Sequence, residues 1–305
     1  GLIVVVSSSS SDSFTLQKAW SYAKPVVHKV SGCVSVTEVG VAFEGPSGAT
    51  GRNSTTGCPT TGGNELEIEG DNFGWASATH ISVSIGDALC KDVILIIPHA
   101  KIRCILPFGT GENVGVTVTA GEQSGTAHLL SYSPPTVGSV SGCGTANGAA
   151  TEDCPRAGGV VLSISGQNFG PEEPVFMVGG VVCESKGSLG NYNGTSQNMA
   201  ECVLPAGSGS LKGVNAIQIN GLISQGVSLL NYVKCKPGEK NVFNTTLGYF
   251  ECKGCEAGFY STIEESFTCT QCLMGSYLED PTTCTPCSSV VPNSLSTTNG
   301  AEGIK

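Results

Sequence analysis

Residues Leu66-Glu67-Ile68-Glu69-Gly70-Asp71-Asn72-Phe73-Gly74 recur ninety-six positions later as Leu162-Ser163-Ile164-Ser165-Gly166-Gln167-Asn168-Phe169-Gly170. In both stretches an apolar residue alternates with a polar one. A period of two places successive side chains on opposite faces of a strand, so Leu66 and Ile68, like Leu162 and Ile164, face a core while their neighbours face water. Gly70 and Gly74, and Gly166 and Gly170, bracket a turn in which positive φ is expected, and Asn72 or Asn168 can bond the turn backbone through its amide. Phe73 and Phe169 then plug the end of the core. The motif is read as a structural corner in preference to a ligand-binding loop.

Outward from this motif the landmarks keep their order. Ser31-Gly32-Cys33, Cys58-Pro59, Cys90 and Cys104-Ile105-Leu106-Pro107 surround the first copy. Ser141-Gly142-Cys143, Cys154-Pro155, Cys183 and Cys202-Val203-Leu204-Pro205 surround the second, and the copies close on Leu129-Leu130-Ser131-Tyr132 and Leu229-Leu230-Asn231-Tyr232. A truncated ending, Trp20-Ser21-Tyr22 with Pro25, precedes Val30-Ser31-Gly32-Cys33 as Tyr132 and Pro135 precede Val140-Ser141-Gly142-Cys143. Residues 1–24 are therefore read as the closing strands of an earlier repeat, 25–134 and 135–234 as two sandwiches, 235–288 as a cysteine-rich module, and 289–305 as a linker or the start of another module. The repeat length is near the roughly 100 residues of an immunoglobulin-like sandwich.

Composition agrees. The 305-residue chain holds 42 glycines and only 13% charged residues, and it is rich in Val, Ile, Ser and Thr, so many short strands and turns are expected. The fold class is all-β: tandem sandwiches followed by a small disulfide-rich ladder. A net charge of −10 argues against nucleic acid as a partner, because a phosphate backbone calls for clustered Lys and Arg. Fifteen cysteines fit bridges in an oxidising compartment better than thiols in a reducing one. The sequons at Asn53, Asn193 and Asn244 point the same way and make N-linked glycans expected attachments. With no apolar run of spanning length, membrane association is expected only through an anchor outside this segment. The start at Gly1 inside an apolar strand-like run is read as that of an excised or partly observed segment, with a signal and any anchor expected outside it.

From Cys235 seven cysteines fall within about fifty residues, with Cys252-x-x-Cys255, Cys269-x-x-Cys272 and Cys284-x-x-Cys287 regularly spaced. So few apolar residues cannot build a conventional core, so cross-links must set the shape. The simplest ladder pairs Cys235 with Cys252, Cys255 with Cys269 and Cys272 with Cys284. It leaves Cys287 over, for a cysteine beyond Lys305 or in another chain. A zinc ribbon would use two of the pairs and idle the third, and a redox pair needs a helix N-terminus beside a strand, which this glycine-rich setting does not offer.

The strand with Gly-x-Asn-Phe-Gly, then Val178-Gly179-Gly180-Val181-Val182-Cys183, then Cys202-Val203-Leu204-Pro205 and the closing Tyr232 together resemble the IPT/TIG family, an immunoglobulin-like fold found in ectodomains of plexins, the hepatocyte growth factor receptor and fibrocystin-like proteins. The first copy departs by having Ser84-Ile85-Gly86-Asp87-Ala88-Leu89-Cys90 where a second glycine is usual. The resemblance implies that Cys90 pairs with Cys104 and Cys183 with Cys202, leaving Cys33 for Cys58 and Cys143 for Cys154. Cys235-x-Pro237-Gly238, with Gly258-Phe259-Tyr260 and Gly275-Ser276-Tyr277, resembles ephrin-receptor-like cysteine-rich modules.

No nucleophile elbow, phosphate-binding loop or helix bearing paired ligands is present, and the histidines lack metal-ligand spacing. His28, His80, His99 and His128 are scattered. Glu65, Glu67 and Glu69 alternate on one strand and are read as an outward charged face, with calcium as the weaker alternative. The segment is therefore expected to be non-enzymatic and extracellular. Its role is expected to be structural or adhesive, in a cell-surface coat, an adhesion ectodomain or a filament, with other protein chains as partners. A spacer in a plexin-like signalling receptor is the alternative.

Overall fold

The computed structural model describes residues 2–7, 13–20, 23–33, 53–75, 81–186, 197–290 and 301–302. They fall into two compact units, Gly1–Pro134 and Pro135–Lys305. The first opens with β1 (Leu2–Ser7) antiparallel to β2 (Ser13–Trp20). There follow β3 (Val26–Ser31), β4 (Thr55–Cys58), β5 (Glu65–Asp71), β6 (Ile81–Ile85), β7 (Ala88–Leu89), β8 (Lys91–Ile97), β9 (Lys101–Ile105), β10 (Val114–Ala120) and β11 (Gln123–Tyr132).

These strands make two sheets, β3-β5-β9-β8 and β4-β11-β10-β6-β7. Val30, Leu66, Ile68 and Ile102 from one sheet join Val83, Val116, Val118 and Leu130 from the other in a single buried cluster. The alternation read from the sequence therefore does what it must: each sheet buries one face and wets the other. On the wet face of the second sheet, Thr117 bonds Thr126 and Thr119 bonds Ser124 across the β10–β11 pair.

In the second unit, β12 (Thr136–Ser141), β13 (Thr145–Asn147), β14 (Ala150–Cys154), β15 (Val161–Gln167), β16 (Val175–Val178), β17 (Val181–Ser185), β18 (Met199–Val203), β19 (Lys212–Ile217) and β20 (Val227–Tyr232) repeat the plan. Here the two layers are joined, because β17 pairs with β16 through Val181–Cys183 and with β18 through Glu184 and Ser185. In the first sandwich the same passage is interrupted at Cys90, with β7 pairing to β6 and β8 to β9. The second core gathers Val140, Leu162, Ile164, Phe169, Phe176, Leu204, Val214 and Leu230.

The cysteine-rich module consists of short pairs: β21 (Glu239–Asn244) with β22 (Tyr249–Gly254), β23 (Phe259–Tyr260) with β24 (Thr270–Gln271), and β25 (Ser276–Asp280) with β26 (Thr283–Pro286). One helical turn, α1 (Cys287–Val290), follows, and β27 (Ala301–Glu302) runs parallel to β25. The all-β reading holds, with α1 the one helix among the described residues.

Candidate functional site

The Gly-x-Asn-Phe-Gly corners have the same construction in both repeats. Phe73 and Phe169 are fully buried, and Gly74 and Gly170 take φ of +96° and +100°. The positive φ expected in the turn falls on Gly74 and Gly170 and not on Gly70 and Gly166. The latter two are glycine because a Cβ on Gly70 would lie 2.0 Å from the Val26 carbonyl oxygen, and one on Gly166 would lie 1.9 Å from that of Thr136. The left-handed residues inside the turns are Asn72 and Asn168, at φ of 63° and 57°, a conformation asparagine tolerates better than most side chains. The Asn72 amide reaches past its own turn and donates to the Lys24 carbonyl at 3.2 Å. The corner is filled by its own phenylalanine.

The structure closes Cys33–Cys58, Cys90–Cys104, Cys143–Cys154 and Cys183–Cys202 within the sandwiches, and Cys235–Cys252, Cys255–Cys269 and Cys272–Cys284 in the module. Cys287 is buried at the head of α1, and its backbone N–H donates to the Gly275 carbonyl at 2.8 Å. Among the described residues one group has metal-ligand proximity, Cys235, Glu239 and Cys252. Its two sulfurs are bonded to each other, and Glu239 accepts a hydrogen bond from the Lys236 backbone. No ligand set remains there.

Glu65, Glu67 and Glu69 each meet a cation across the sheet: Arg103 at 3.3 Å, Lys101 at 3.1 Å, and Lys101 and Lys29 at 3.1 and 3.4 Å. The hydrogen bond from Lys101 is the first cause holding the Glu69 carboxyl below its usual range. These carboxylates are spent on a cross-strand ladder, leaving no cage for calcium. His28 bonds Asp71 at 2.7 Å and His128 donates to the Asn113 carbonyl at 2.7 Å, both exposed. His80 lies outside the described residues.

Of the sequons, Asn53 is exposed and its carbonyl accepts the Val30 N–H at 2.8 Å. Asn244 ends β21, where its Oδ1 accepts the N–H groups of Thr246 and Leu247 at 3.0 and 3.1 Å. Asn193 lies outside the described residues.

Sequence reasoning missed Arg156. It follows Cys154-Pro155 and is only 8% exposed. Its Nε donates to the Val233 carbonyl at 2.7 Å, and its Nη1 donates to Asn241 Oδ1 at 2.7 Å and to the Phe250 carbonyl at 3.0 Å. Its Nη2 pairs with Glu265 Oε1 at 2.5 Å. Glu265 also accepts the Cys235 N–H at 2.6 Å and the Asn241 amide at 3.2 Å. A guanidinium buried in this way is stable only because its charge and four of its donor directions are met. It stands on the second sandwich, while Asn241, Phe250 and Glu265 belong to the cysteine module.

The IPT/TIG domain model matches residues 52–134 and 151–232, more than half of the chain. The chain belongs to the IPT/TIG domain family. No curated protein matches its sequence. Among solved structures, the chain is similar to the full extracellular region of plexin A4, domains 1 to 10, at 16% identity and a TM-score of 0.28, over 75% of this chain and 17% of that one. It is also similar to the surface glycan-binding protein PbSGBP-B from Prevotella bryantii, at 11% identity and a TM-score of 0.39, over 68% of this chain and 42% of that one. SGBP-B from a xyloglucan utilization locus of Bacteroides uniformis gives 13% and 0.26, over 73% of this chain and 64% of that one. The chain thus spans less than two thirds of each.

With the two TIG repeats aligned, Arg156 has a counterpart. In the second repeat the Arg156 carbonyl accepts the Gly207 N–H at 2.8 Å, and in the first the Thr60 carbonyl accepts the Gly109 N–H at 2.9 Å. Both positions follow Cys-Pro, and both residues are buried. The repeat that runs into the cysteine module carries the long cation, while the preceding TIG repeat carries a threonine. That break in the repeat was the available signal.

Proposed function

We propose that this chain is a non-enzymatic, extracellular structural segment of a longer repeat glycoprotein. It would serve in an adhesion ectodomain, a cell-surface coat or a filament, with other protein chains as partners and N-linked glycans on its surface. The cysteine module is read as ephrin-receptor-like, on the Cys-x-Pro-Gly start and the repeated Gly-x-Tyr. Seven disulfides, four in the two sandwiches and three in the cysteine module, support an oxidising compartment, because thiols in the cytosol are kept reduced.

The observation that carries the structural role is the Arg156 junction. A buried cation, a carboxylate and an amide tie the last TIG repeat to the module after it. Relative motion of neighbouring domains is the default, and this buried, charge-paired junction opposes it. A segment with a fixed joint suits spacing and holding.

Two measurements on the secreted chain test this. Intact mass should rise by fourteen hydrogens on full reduction, two for each of seven bridges. Electron microscopy should find one fixed angle between the second sandwich and the cysteine module. A fully reduced native chain would sink the extracellular assignment, and a broad distribution of angles would sink the structural one.

A further inference from the structure

The three sequons are equivalent by sequence, and of the two that lie among the described residues Asn244 has the more defined setting. Asn244 is the last residue of β21, and the four residues Thr245 to Gly248 carry the chain into β22. Its carbonyl accepts the Gly248 N–H at 2.8 Å, and its Oδ1 accepts those of Thr246 and Leu247. Two bonds therefore fix the side chain through Oδ1, a third closes the turn through the backbone carbonyl, and none of them uses Nδ2. Thr245, Thr246 and Leu247 are exposed. Directly across the hairpin, Asn244 is paired in register with Tyr249. Cross-strand partners project from the same face with Cβ atoms about 4.5–5.5 Å apart, within reach of an aromatic ring. The half-buried Tyr249 thus lies beside whatever Nδ2 carries.

We propose that Asn244 is an N-glycosylation site whose first sugar packs on the Tyr249 ring. This rests on the extracellular reading above. Transfer forms a bond from Nδ2 to the anomeric carbon of a lipid-diphosphate-activated oligosaccharide. The anomeric C–O bond breaks, the lipid diphosphate leaves with the electron pair, and Nδ2 gives up one proton. The attachment breaks no hydrogen bond of the turn, because Oδ1 does the holding. The apolar C–H face of the sugar and the face of the tyrosine are chemically matched, so the glycan stabilises the hairpin that bears it.

The test uses the full chain secreted from a eukaryotic cell. Peptide mass spectrometry after enzymatic glycan release should find Asn244 converted to Asp, and Thr246→Ala should abolish the conversion. Releasing the glycan should lower the melting temperature of the wild-type chain by a few degrees, and should leave Tyr249→Ala unmoved. A secreted, fully bridged chain with unmodified Asn244 overturns the site while the extracellular reading stands. A chain recovered reduced overturns both. An equal melting shift in wild type and Tyr249→Ala overturns the packing on Tyr249.

Discussion

Tyr132 and Tyr232 close successive TIG repeats, and each donates its hydroxyl proton to a proline carbonyl, Pro107 at 3.0 Å and Pro205 at 2.8 Å. A glycine makes room beside each ring: a Cβ on Gly109 would lie 2.7 Å from Tyr132, and one on Gly207 would lie 2.6 Å from Tyr232. Burial disfavours the phenolate, pushing Tyr232 up to about 12 and Tyr132 higher still. In the unfolded chain both titrate near 10, so the stabilisation is fully present below pH 10. It is lost as pH rises beyond that, because only the unfolded state then gains from ionisation. Urea midpoints measured from pH 8 to 11 should fall above pH 10. Tyr232→Phe should lower the unfolding free energy by about 1–2 kcal/mol at neutral pH, through the orphaned Pro205 carbonyl, and should flatten the alkaline decline. Gly70 makes a second prediction at this scale. Even the single methyl of Gly70→Ala collides with backbone at 2.0 Å, so the strand or β3 must shift, at about 3 kcal/mol. The same measurement detects it, and a loss below about 0.5 kcal/mol would refute the close-approach account.

Strand β5 shows how one element divides its work between faces. Ile68 is fully buried, whereas Glu69 beside it is 36% exposed and bonded to Lys101 and Lys29. Burial of the isoleucine is a matter of area and packing, so Ile68→Ala should cost about 2–5 kcal/mol. The ion pairs stand in water, where screening leaves about 0–1 kcal/mol, so Glu69→Gln should cost at most that and less in high salt. Because the Glu69 carboxyl is held low, its small contribution is present at neutral pH and is lost as pH falls through the acid range. Chemical denaturation of both variants at two salt concentrations separates the effects. The strand itself was legible in the sequence, since the period of two reports the burial of Leu66 and Ile68. The corner was legible in its residues but not in all its reasons. Gly70 needs to lack a side chain because β3 passes over it, and Val26 is too remote in sequence for any local pattern to say so. The ladder partners of Glu65, Glu67 and Glu69 were likewise hidden, because β9 is fixed as the neighbour of β5 only by the fold.

The repeat made the largest features readable. Two copies of one plan appear in the order of their cysteines, turns and closing tyrosines, and the second unit has the first's two-layer plan with the layers joined at β17. The joint between the last TIG repeat and the cysteine module showed in the sequence only as a break in the repeat, Arg156 where the first copy has Thr60, because its partners lie 77 to 109 residues away. A lone arginine after Cys-Pro has no signature of its own. Its meaning comes from burial, and burial has a thermodynamic consequence for the whole second unit. In the wild-type chain, where the Cys235 N–H, Asn241 and Arg156 all converge on Glu265, calorimetry should find the second sandwich and the cysteine module melting together. Arg156→Thr installs the residue of the preceding repeat, so the sandwich itself tolerates it, but Glu265 loses its cation. Breaking a buried pair costs about 3–5 kcal/mol, and the lower end applies here because Glu265 is 34% exposed. The transition should then split, with the module's share moving to lower temperature and the sandwich's share staying in place. Adding Glu265→Gln to Arg156→Thr removes the stranded charge and should recover part of the loss without rejoining the two transitions, since Val233 and Phe250 still lack their shared donor. If the single variant melts in one unshifted transition, the module and the sandwich are coupled by something other than Arg156.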